Sequence, residues 1–400
     1  MKAGKPGSDS FPGELLQADS FDRRCFFPPL VLLSPFDWDE LQQRPQFLAR
    51  ELSKHHRVLF VDPTGHSFVT HAARRLRNLP ARRRLLAPQF RRIDDRITVA
   101  TPPALLPFSM YSQAINGWNH RALRRLVDAD VRESILWCTF PSQLPFVKDC
   151  PRRLLVYDSM DNYAEFYSGR RKRILGEQEV QLLGMADLVF ASSAPLFEKC
   201  QAYARNCFLV PNGLNDCFFE PPHERPDDLP ARRESIIGYV GAIADWFDWR
   251  WIELLADQMP GSDLVLIGPF LSGHPQIKRP NVHYLPPRPN HLIPAYLDHF
   301  DVALIPFLVN SLTHAVHPIK MLEYFARGLP VVAPRLQALK GNGGDVYTVE
   351  DLNSLVPTVK KAIAEGKKER LRGVADDFRW TRIADRVEDL LCRQMSVRGM

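Results

Sequence analysis

Short apolar, β-branched runs recur along the chain, separated by stretches with helical spacing. In the first half they are PLVLLSPF (29–36), HRVLFVDP (56–63), RITVATP (96–102), SILWCTFP (134–141), RLLVYDSMD (153–161), DLVFASS (187–193) and CFLVPNG (207–213). Between the first two lies QRPQFLARELSKH, with Phe47, Leu48 and Leu52 at helical spacing. Runs that are continuously apolar, rather than alternating with polar positions, predict parallel strands covered on both faces. Their alternation with helices predicts a doubly wound α/β fold.

The pattern breaks at DCFFEPPHERPDDLPARRES (216–235), whose four prolines and alternating charges have the composition of a linker. A second series follows: SIIGYVGAI (235–243), DLVLIGP (263–269), NVHYLPP (281–287), DVALIPF (301–307), LPVVAP (329–334) and DVYTV (345–349). A chain of 400 residues exceeds one ordinary core. The prediction is therefore two Rossmann-like α/β domains, 29–215 and 236–380, facing each other across a cleft and joined by the linker 216–235. TRIADRVEDLLCRQM (381–395) is an amphipathic terminal helix within 381–400. Residues 1–28 contain no apolar h-region and read as a mobile leader, not a signal peptide.

Ligands of open α/β sheets sit outside the carboxyl ends of the strands, so polar residues just beyond the apolar runs are the site candidates. VYDSMDNYAEF places Asp158 at the end of a strand and Asp161 just past it. A carboxylate there can deprotonate a substrate hydroxyl, as inverting chemistry requires; in a retaining enzyme it only positions groups while the leaving phosphate helps take the proton. Asp161 can equally cap the helix that follows, and Asp158 can serve the fold alone. SPFDWDELQQRP brings Asp37, Trp38 and Arg44 to the same edge, for sugar or diphosphate contact or, for Trp38, for packing. Asp245 and Trp246 hold the corresponding place after GYVGAI.

HPIKMLEYFARGLPVV (317–332) puts charge on a short helix between two strands. Pro318 suits the first helical position, and Gly328 the position past the end. Ile319, Leu322 and Ala326 share one face; Lys320, Glu323 and Arg327 share another. In one reading the backbone N–H groups around His317 to Lys320, with the positive end of the helix dipole, receive a phosphate-bearing ligand. Lys320 then adds a full charge, and Glu323 accepts the hydroxyls of a ribose. In the other, Glu323 and Arg327 form a surface i, i+4 pair worth a few tenths of a kcal/mol.

Composition narrows the class. Hydrophobic residues at 45% and charged residues at 24% describe a globular protein. The net charge of +6 is modest but concentrated, with nine arginines between Arg74 and Arg96. In VTHAARRLRNLPARRRLLAPQFRR (69–92), Val69, Ala72, Ala73, Leu76 and Leu79 fall at helical spacing among Arg74, Arg75, Arg77, Arg82, Arg83 and Arg84. That profile fits a helix lying on an anionic membrane surface, or a solvated basic face. No recognition motif accompanies the arginines, so nucleic acid is not an expected partner. Seven scattered cysteines without CxxC spacing point to a reducing compartment and away from a zinc site. No apolar run reaches the roughly 20 residues of a membrane span. The expected location is cytoplasmic, peripheral at the inner face of the membrane.

The helix segment resembles the nucleotide-binding segment of GT-B glycosyltransferases, particularly those like glycosyltransferase family 4, whose pattern runs P-x-K-x-x-E-x-x-A-x-G-x-P-V-V. The resemblance continues through QRPQFLARELSKHHRVLFVDP, VYDSMDNYAEF, ADLVFASSAPLFEKC, LVPNGLNDCFF, GYVGAIADWFDW and NVHYLPPRP, over roughly residues 30 to 390. It is nearest to bacterial enzymes that build surface polysaccharides of the teichuronic-acid and exopolysaccharide type. It implies the GT-B fold, with the C-terminal helix returning to the first domain. It also implies a metal-independent glycosyltransferase without cofactor, moving a sugar from a nucleotide sugar, a UDP-sugar before a GDP-sugar, to a carbohydrate or lipid-linked acceptor.

By position the resemblance gives Glu323 the ribose and Lys320 the diphosphate, with His317, Pro318 and Ile319 at the helix start. Gly241 allows backbone approach to the diphosphate, and Arg288 lies in the loop that contacts the base. Two departures stand out. Ala315 replaces the first of the family's paired glutamates, and the basic pair that often follows the glycine of GYVG gives way to Ala242, Ile243, Asp245 and Trp246. Diphosphate charge is left to Lys320, the helix end or Arg44. Two other functions fit the same fold: a nucleotide-sugar 2-epimerase, and a non-catalytic binding subunit.

Overall fold

A computed structural model of the chain describes residues 27–39, 42–63, 89–102, 131–231, 233–271, 277–310, 313, 319–336, 339 and 346–397. The first sheet contains β1 (Leu30–Leu33), β2 (Val58–Val61), β3 (Gln89–Arg92), β4 (Ile97–Thr101), β5 (Ile135–Cys138), β6 (Leu154–Ser159), β7 (Leu188–Ala191) and β8 (Cys207–Leu209). Their spatial order is β3-β4-β2-β1-β5-β6-β7-β8, with every pair parallel except β3 with β4. The second sheet contains β9 (Ser235–Val240), β10 (Ser262–Ile267), β11 (Val282–Leu285), β12 (Val302–Leu304), β13 (Val331–Pro334) and β14 (Val346–Val349). These are all parallel, in the order β11-β10-β9-β12-β13-β14.

The central strands of both sheets are buried on both faces. Along β1, Leu30 and Leu32 enter one apolar cluster while Val31 and Leu33 enter another. Along β9, Ile236 and Val240 are split in the same way from Ile237 and Tyr239. That two-sided burial makes the strands continuous apolar runs in the sequence. One strand departs from expectation. Gln89–Arg92, read as the end of the basic helical segment 69–92, is the antiparallel edge strand β3. An edge strand pairs on one side and tolerates charged side chains, so its composition carries no strand signal. Arg74, Arg75, Arg77, Arg82, Arg83 and Arg84 lie outside the described residues.

The chain passes between the domains twice, and the two crossings are bonded to each other. The Leu214 N–H donates to the Phe378 carbonyl at 2.7 Å, and the Trp380 N–H donates to the Leu214 carbonyl at 3.1 Å. A Cβ at Gly213 would lie 2.5 Å from the Trp380 ring, so glycine is needed for this approach. Helix Trp380–Val397 then packs Ile383, Val387 and Leu391 with Leu48 and Leu52 of helix Arg44–Leu52. The C-terminal helix therefore returns to the first domain.

Segment 216–235 has a linker's composition but is held to the second domain, where Phe218 and Leu229 join the core. Buried Arg327 fastens it further. Its Nε donates to Asp298 at 2.8 Å, and its Nη1 donates to the carbonyls of Phe218 at 3.1 Å and Glu220 at 2.8 Å. Burial works against an ionised Asp298, but bonds from His223 and Arg327 outweigh it and hold the carboxyl below its ordinary value.

Removing one partner of such a pair costs about 3–5 kcal/mol, so Arg327→Ala is expected to lose that much in urea unfolding at pH 7. A depressed carboxyl contributes stability above the unfolded pKa of about 3.9 and loses it as pH falls through the folded value. The gap between wild type and Arg327→Ala should therefore narrow in acid.

Candidate functional site

The order of the second sheet reverses between β9 and β12, and a ligand of a doubly wound sheet binds at that switch point. The loops that leave these two strands are stitched together. The Asp248 N–H donates to the Pro306 carbonyl at 2.7 Å, and the Leu308 N–H donates to the Trp246 carbonyl at 2.8 Å. Helix Ile319–Ala326 follows β12 and reaches back to β9. The Val240 N–H donates to the Tyr324 hydroxyl at 2.9 Å, which fixes the strand end just before Gly241. Tyr324 was not singled out by the sequence, where it reads as one more packing aromatic.

Gly241 is gripped from both sides. A Cβ there would meet the Tyr239 hydroxyl at 2.6 Å, and a Cβ at Gly268 (φ 151°) would lie 2.0 Å from the Gly241 carbonyl oxygen. Only glycine at 268 combines that φ with that clearance. The steric demand at 241 thus arises already within the fold.

Glu323 is buried, 2% exposed, and accepts a 2.9 Å hydrogen bond from partly exposed Lys320 Nζ. The Glu323–Arg327 surface pair of the alternative reading is absent, because Arg327 turns inward to Asp298. Ile319 opens the described part of the helix; His317, Pro318 and Ala315 lie outside the described residues. Arg288 is committed to the fold. Its guanidinium bonds Asp228, and its Nε donates to the Tyr296 hydroxyl at 2.9 Å. Asp245 is exposed and Trp246 half-buried on the stitched loop.

In the first sheet the order reverses between β1 and β5. Arg44 begins the helix after β1 and reaches across to β6, donating from Nε to both Asp158 oxygens at 3.0 and 2.9 Å. Its Nη1 donates to the Pro211 carbonyl at 2.9 Å and Asn212 Oδ1 at 3.3 Å. Arg44 is 5% exposed and Asp158 is fully buried. A carboxylate held by a guanidinium and out of reach of solvent does not collect a proton from a substrate. Asp158 is therefore a structural partner and not a base, and Arg44 is not a free cation for a diphosphate.

For Trp38 the packing alternative holds. It lies edge-on to Phe60 with 4.9 Å between ring centres, under the Arg50 guanidinium at 5.0 Å, and presents no open face to a sugar. Its N–H donates to Asp62 Oδ1 at 3.0 Å, while Thr101 Oγ1 donates to Asp62 Oδ2 at 2.7 Å. Burial raises the Asp62 carboxyl to about 6 against those bonds. Asp62 directly follows β2 and Asp158 nearly ends β6, so the signal that selected Asp158 could have found it. Asp37 is half-buried, and its carbonyl accepts from Gln46 Nε2 at 3.0 Å.

Asp161 stands apart from these pairs. Burial raises its carboxyl to about 7, with Arg44 pulling the other way. It caps no helix: the turn Tyr163–Phe166 is entered from Asn162 without a side-chain cap. Asn162 is tied down instead. Its Oδ1 accepts from Lys199 Nζ at 2.9 Å, and Lys199 also pairs with buried Glu179 at 2.6 Å. The loop carrying Asp161 is thereby fixed beside the end of β6.

Among the described residues no group of three His, Cys, Asp or Glu side chains is placed to hold a metal, and no helix is long and apolar enough to cross a membrane. A cavity of about 460 Å³ beside the crossings is lined by Phe47, Arg50, Asn215, Cys217, His291 and Trp380, and contains neither Asp161 nor Glu323.

Comparison with solved structures places this arrangement. Sucrose-phosphate synthase of Thermosynechococcus elongatus is similar over 92% of this chain and 100% of its own, at 15% identity and TM-score 0.67. Trehalose 6-phosphate synthase of Burkholderia multivorans covers 94% and 100%, at 12% identity and TM-score 0.61. The fold is GT-B. Anabaena HepE in complex with UDP-glucose shares it over 90% of this chain and 98% of its own, at 15% identity and TM-score 0.59. A Bacillus subtilis protein named as a teichuronic acid biosynthesis glycosyltransferase, TuaH, is 27% identical over 220 residues, 50% of this chain and 55% of TuaH. The match thus spans about half the length of that relative. No protein-family model matches the chain.

The Arg44–Asp158 pair makes a stability prediction. Arg44→Ala should cost about 3–5 kcal/mol by leaving a buried charge alone. Replacing both members, Arg44→Gln with Asp158→Asn, should cost less than the two single changes added together. A double-mutant cycle in guanidinium reads the difference.

Proposed function

We propose that the chain is a GT-B glycosyltransferase that moves a hexose from a UDP-sugar to a glycan or lipid-linked acceptor in surface-polysaccharide assembly. The observation that carries this reading is the buried carboxylate of Glu323, held by Lys320 on a helix at the switch point of the second sheet. The names of the similar proteins support it: TuaH is named for teichuronic acid biosynthesis, and HepE holds UDP-glucose.

In this reading the diphosphate lies over the start of the helix, where backbone N–H groups and Lys320 receive its charge. Lys320 leaves Glu323 for the phosphates, and Glu323 accepts the ribose hydroxyls. Asp161 takes the proton of the acceptor hydroxyl as its oxygen bonds the anomeric carbon and the bond to the diphosphate breaks. A carboxyl near 7 is both ionised often enough and basic enough for that task. The leaving charge is collected without a metal. The arginines of 69–92 support a peripheral place on an anionic, cytoplasm-facing membrane surface, where a lipid-linked acceptor is at hand.

Calorimetry with UDP tests the helix. A hydrogen bond to a charged group is worth about 1.5–3 kcal/mol, so Lys320→Ala and Glu323→Ala should each weaken UDP binding about tenfold or more. Unchanged affinity in both sinks the reading. Asp161→Asn should keep UDP affinity while abolishing transfer, and wild-type kcat/KM should rise through pH 7 as Asp161 ionises.

A further inference from the structure

The bonds that hold the turn after β6 surround Asp161 on both sides and stop short of its carboxyl. On the strand side, the Ser192 N–H donates to the Ser159 carbonyl at 3.1 Å, and Ser192 Oγ donates to the Met160 carbonyl at 2.7 Å. On the far side, the Asn162 carbonyl accepts from the Glu165 N–H at 2.9 Å, and Asn162 Oδ1 accepts from Lys199 Nζ at 2.9 Å. The Asp161 carboxyl makes no hydrogen bond among the described residues.

Lys199 is itself aimed by a chain of side chains that begins on β6. The Tyr157 hydroxyl donates to Glu179 Oε1 at 3.1 Å, and Lys199 Nζ donates to Glu179 Oε2 at 2.6 Å. Tyr157 and Glu179 are buried. Glu179 stands on helix Gly169–Met185 and Lys199 on helix Ala194–Gln201. A ring of bonds therefore leaves the strand, passes through two helices and returns to the turn that ends the same strand. With both Glu179 oxygens taken, the acid fixes the amine and the amine fixes Asn162. A buried ion pair adds little net stability once desolvation is counted, so what this one secures is geometry. The Lys172–Glu165 pair farther along the turn is exposed, and screening leaves it too weak to replace the ring.

We propose that Lys199 is a positioning residue for Asp161: locked by Glu179, it holds Asn162 and so sets where the neighbouring carboxyl stands at the end of β6. The inference deepens the glycosyltransferase reading and rests on it for the task given to Asp161. A reacting group misplaced by about 1 Å can cost a hundredfold in rate. Without the bond from Lys199 the turn is tied through Ser192 on the strand side, and the segment beyond Met160 is free to lift toward water.

Two variants of the full chain test it. Asn162→Leu is nearly isosteric and cuts the last bond of the ring while Lys199 stays paired with Glu179, so no buried charge is stranded. Lys199→Met with Glu179→Gln removes the ion pair as a neutral unit. In both, hydrogen exchange read by mass spectrometry should rise about tenfold or more over residues 160–166 and stay unchanged in helix Ile319–Ala326. The Asp161 carboxyl, followed by carbon-13 NMR and identified by its loss in Asp161→Asn, should hold its proton about tenfold less tightly once it reaches water. With UDP-glucose as donor and octyl glucoside as acceptor, kcat should fall about tenfold or more while KM for UDP-glucose holds. Lys199→Arg, which keeps a charged donor for both oxygens, should recover most of that loss. Exchange over 160–166 and an Asp161 titration that match wild type overturn the proposal, whatever happens to the melting temperature. A turn that loosens without slowing transfer, in an enzyme that Asp161→Asn inactivates, overturns it too. Transfer that survives Asp161→Asn instead fails the role given to Asp161, while a loosened turn still upholds the hold of Lys199 on it.

Discussion

A parallel sheet covered on both faces has no solvated face on which to carry polar chemistry, so side chains that must act together are confined to the ends of its strands. Both halves of this protein obey that constraint. In the first, Arg44, Asp62, Asp158 and Asp161 all lie at or just past strand ends or begin the next helix. In the second, Gly241, the loop to Asp248 and the helix Ile319–Ala326 meet where the strand order reverses. The positions of these groups follow from how each sheet is wound, since reversal of strand order opens the crevice into which they project.

Within that frame the buried charges differ in how fully they are satisfied, and that difference separates structure from function. Arg327 spends its guanidinium on Asp298 and two carbonyls of the segment joining the domains. Arg44 spends two of its three nitrogens. The Lys320–Glu323 pair is thinner, a single bond from a partly exposed amine to a buried acid. Asp161, half-buried, answers desolvation by holding its proton up to about neutral pH. The more a group's bonding capacity is used inside the fold, the less remains for a ligand.

The strands were legible because two-sided burial writes them as unbroken apolar runs, and the order of strands and helices was enough for two Rossmann-like domains. β3 was not, because an edge strand is asked to satisfy only one neighbour. Site residues were legible as positions but not as partnerships. Arg44 and Asp158 were each found at a strand end, yet nothing in local spacing pairs residues 114 apart. Helical spacing offered Glu323 as one partner for Arg327, but Asp298, 29 residues away, holds it. The bond from the Tyr324 hydroxyl to β9 and the packing of Trp38 against Phe60 were hidden for the same reason. Whether an aromatic or an arginine packs inward or faces a ligand depends on long-range contacts.

The departure at the loop after Gly241 has a physical consequence for the proposed donor site. Where the resemblance leads one to expect a basic pair, this chain has Ala242, Asp245 and Trp246, and Arg44 and Arg288 are committed to Asp158 and Asp228. In the proposed function Lys320 is the basic side chain on the helix that meets the diphosphate, and it begins bound to Glu323. For Lys320 to turn to the phosphates, Glu323 must be released. A released carboxylate at 2% exposure needs new donors at once, because a buried charge without partners is far costlier than a paired one. The ribose hydroxyls are such donors. Under the proposed function, recognition of the diphosphate and of the ribose is a single exchange of partners, so a ligand that carries only one of the two leaves either the lysine or the acid unsatisfied.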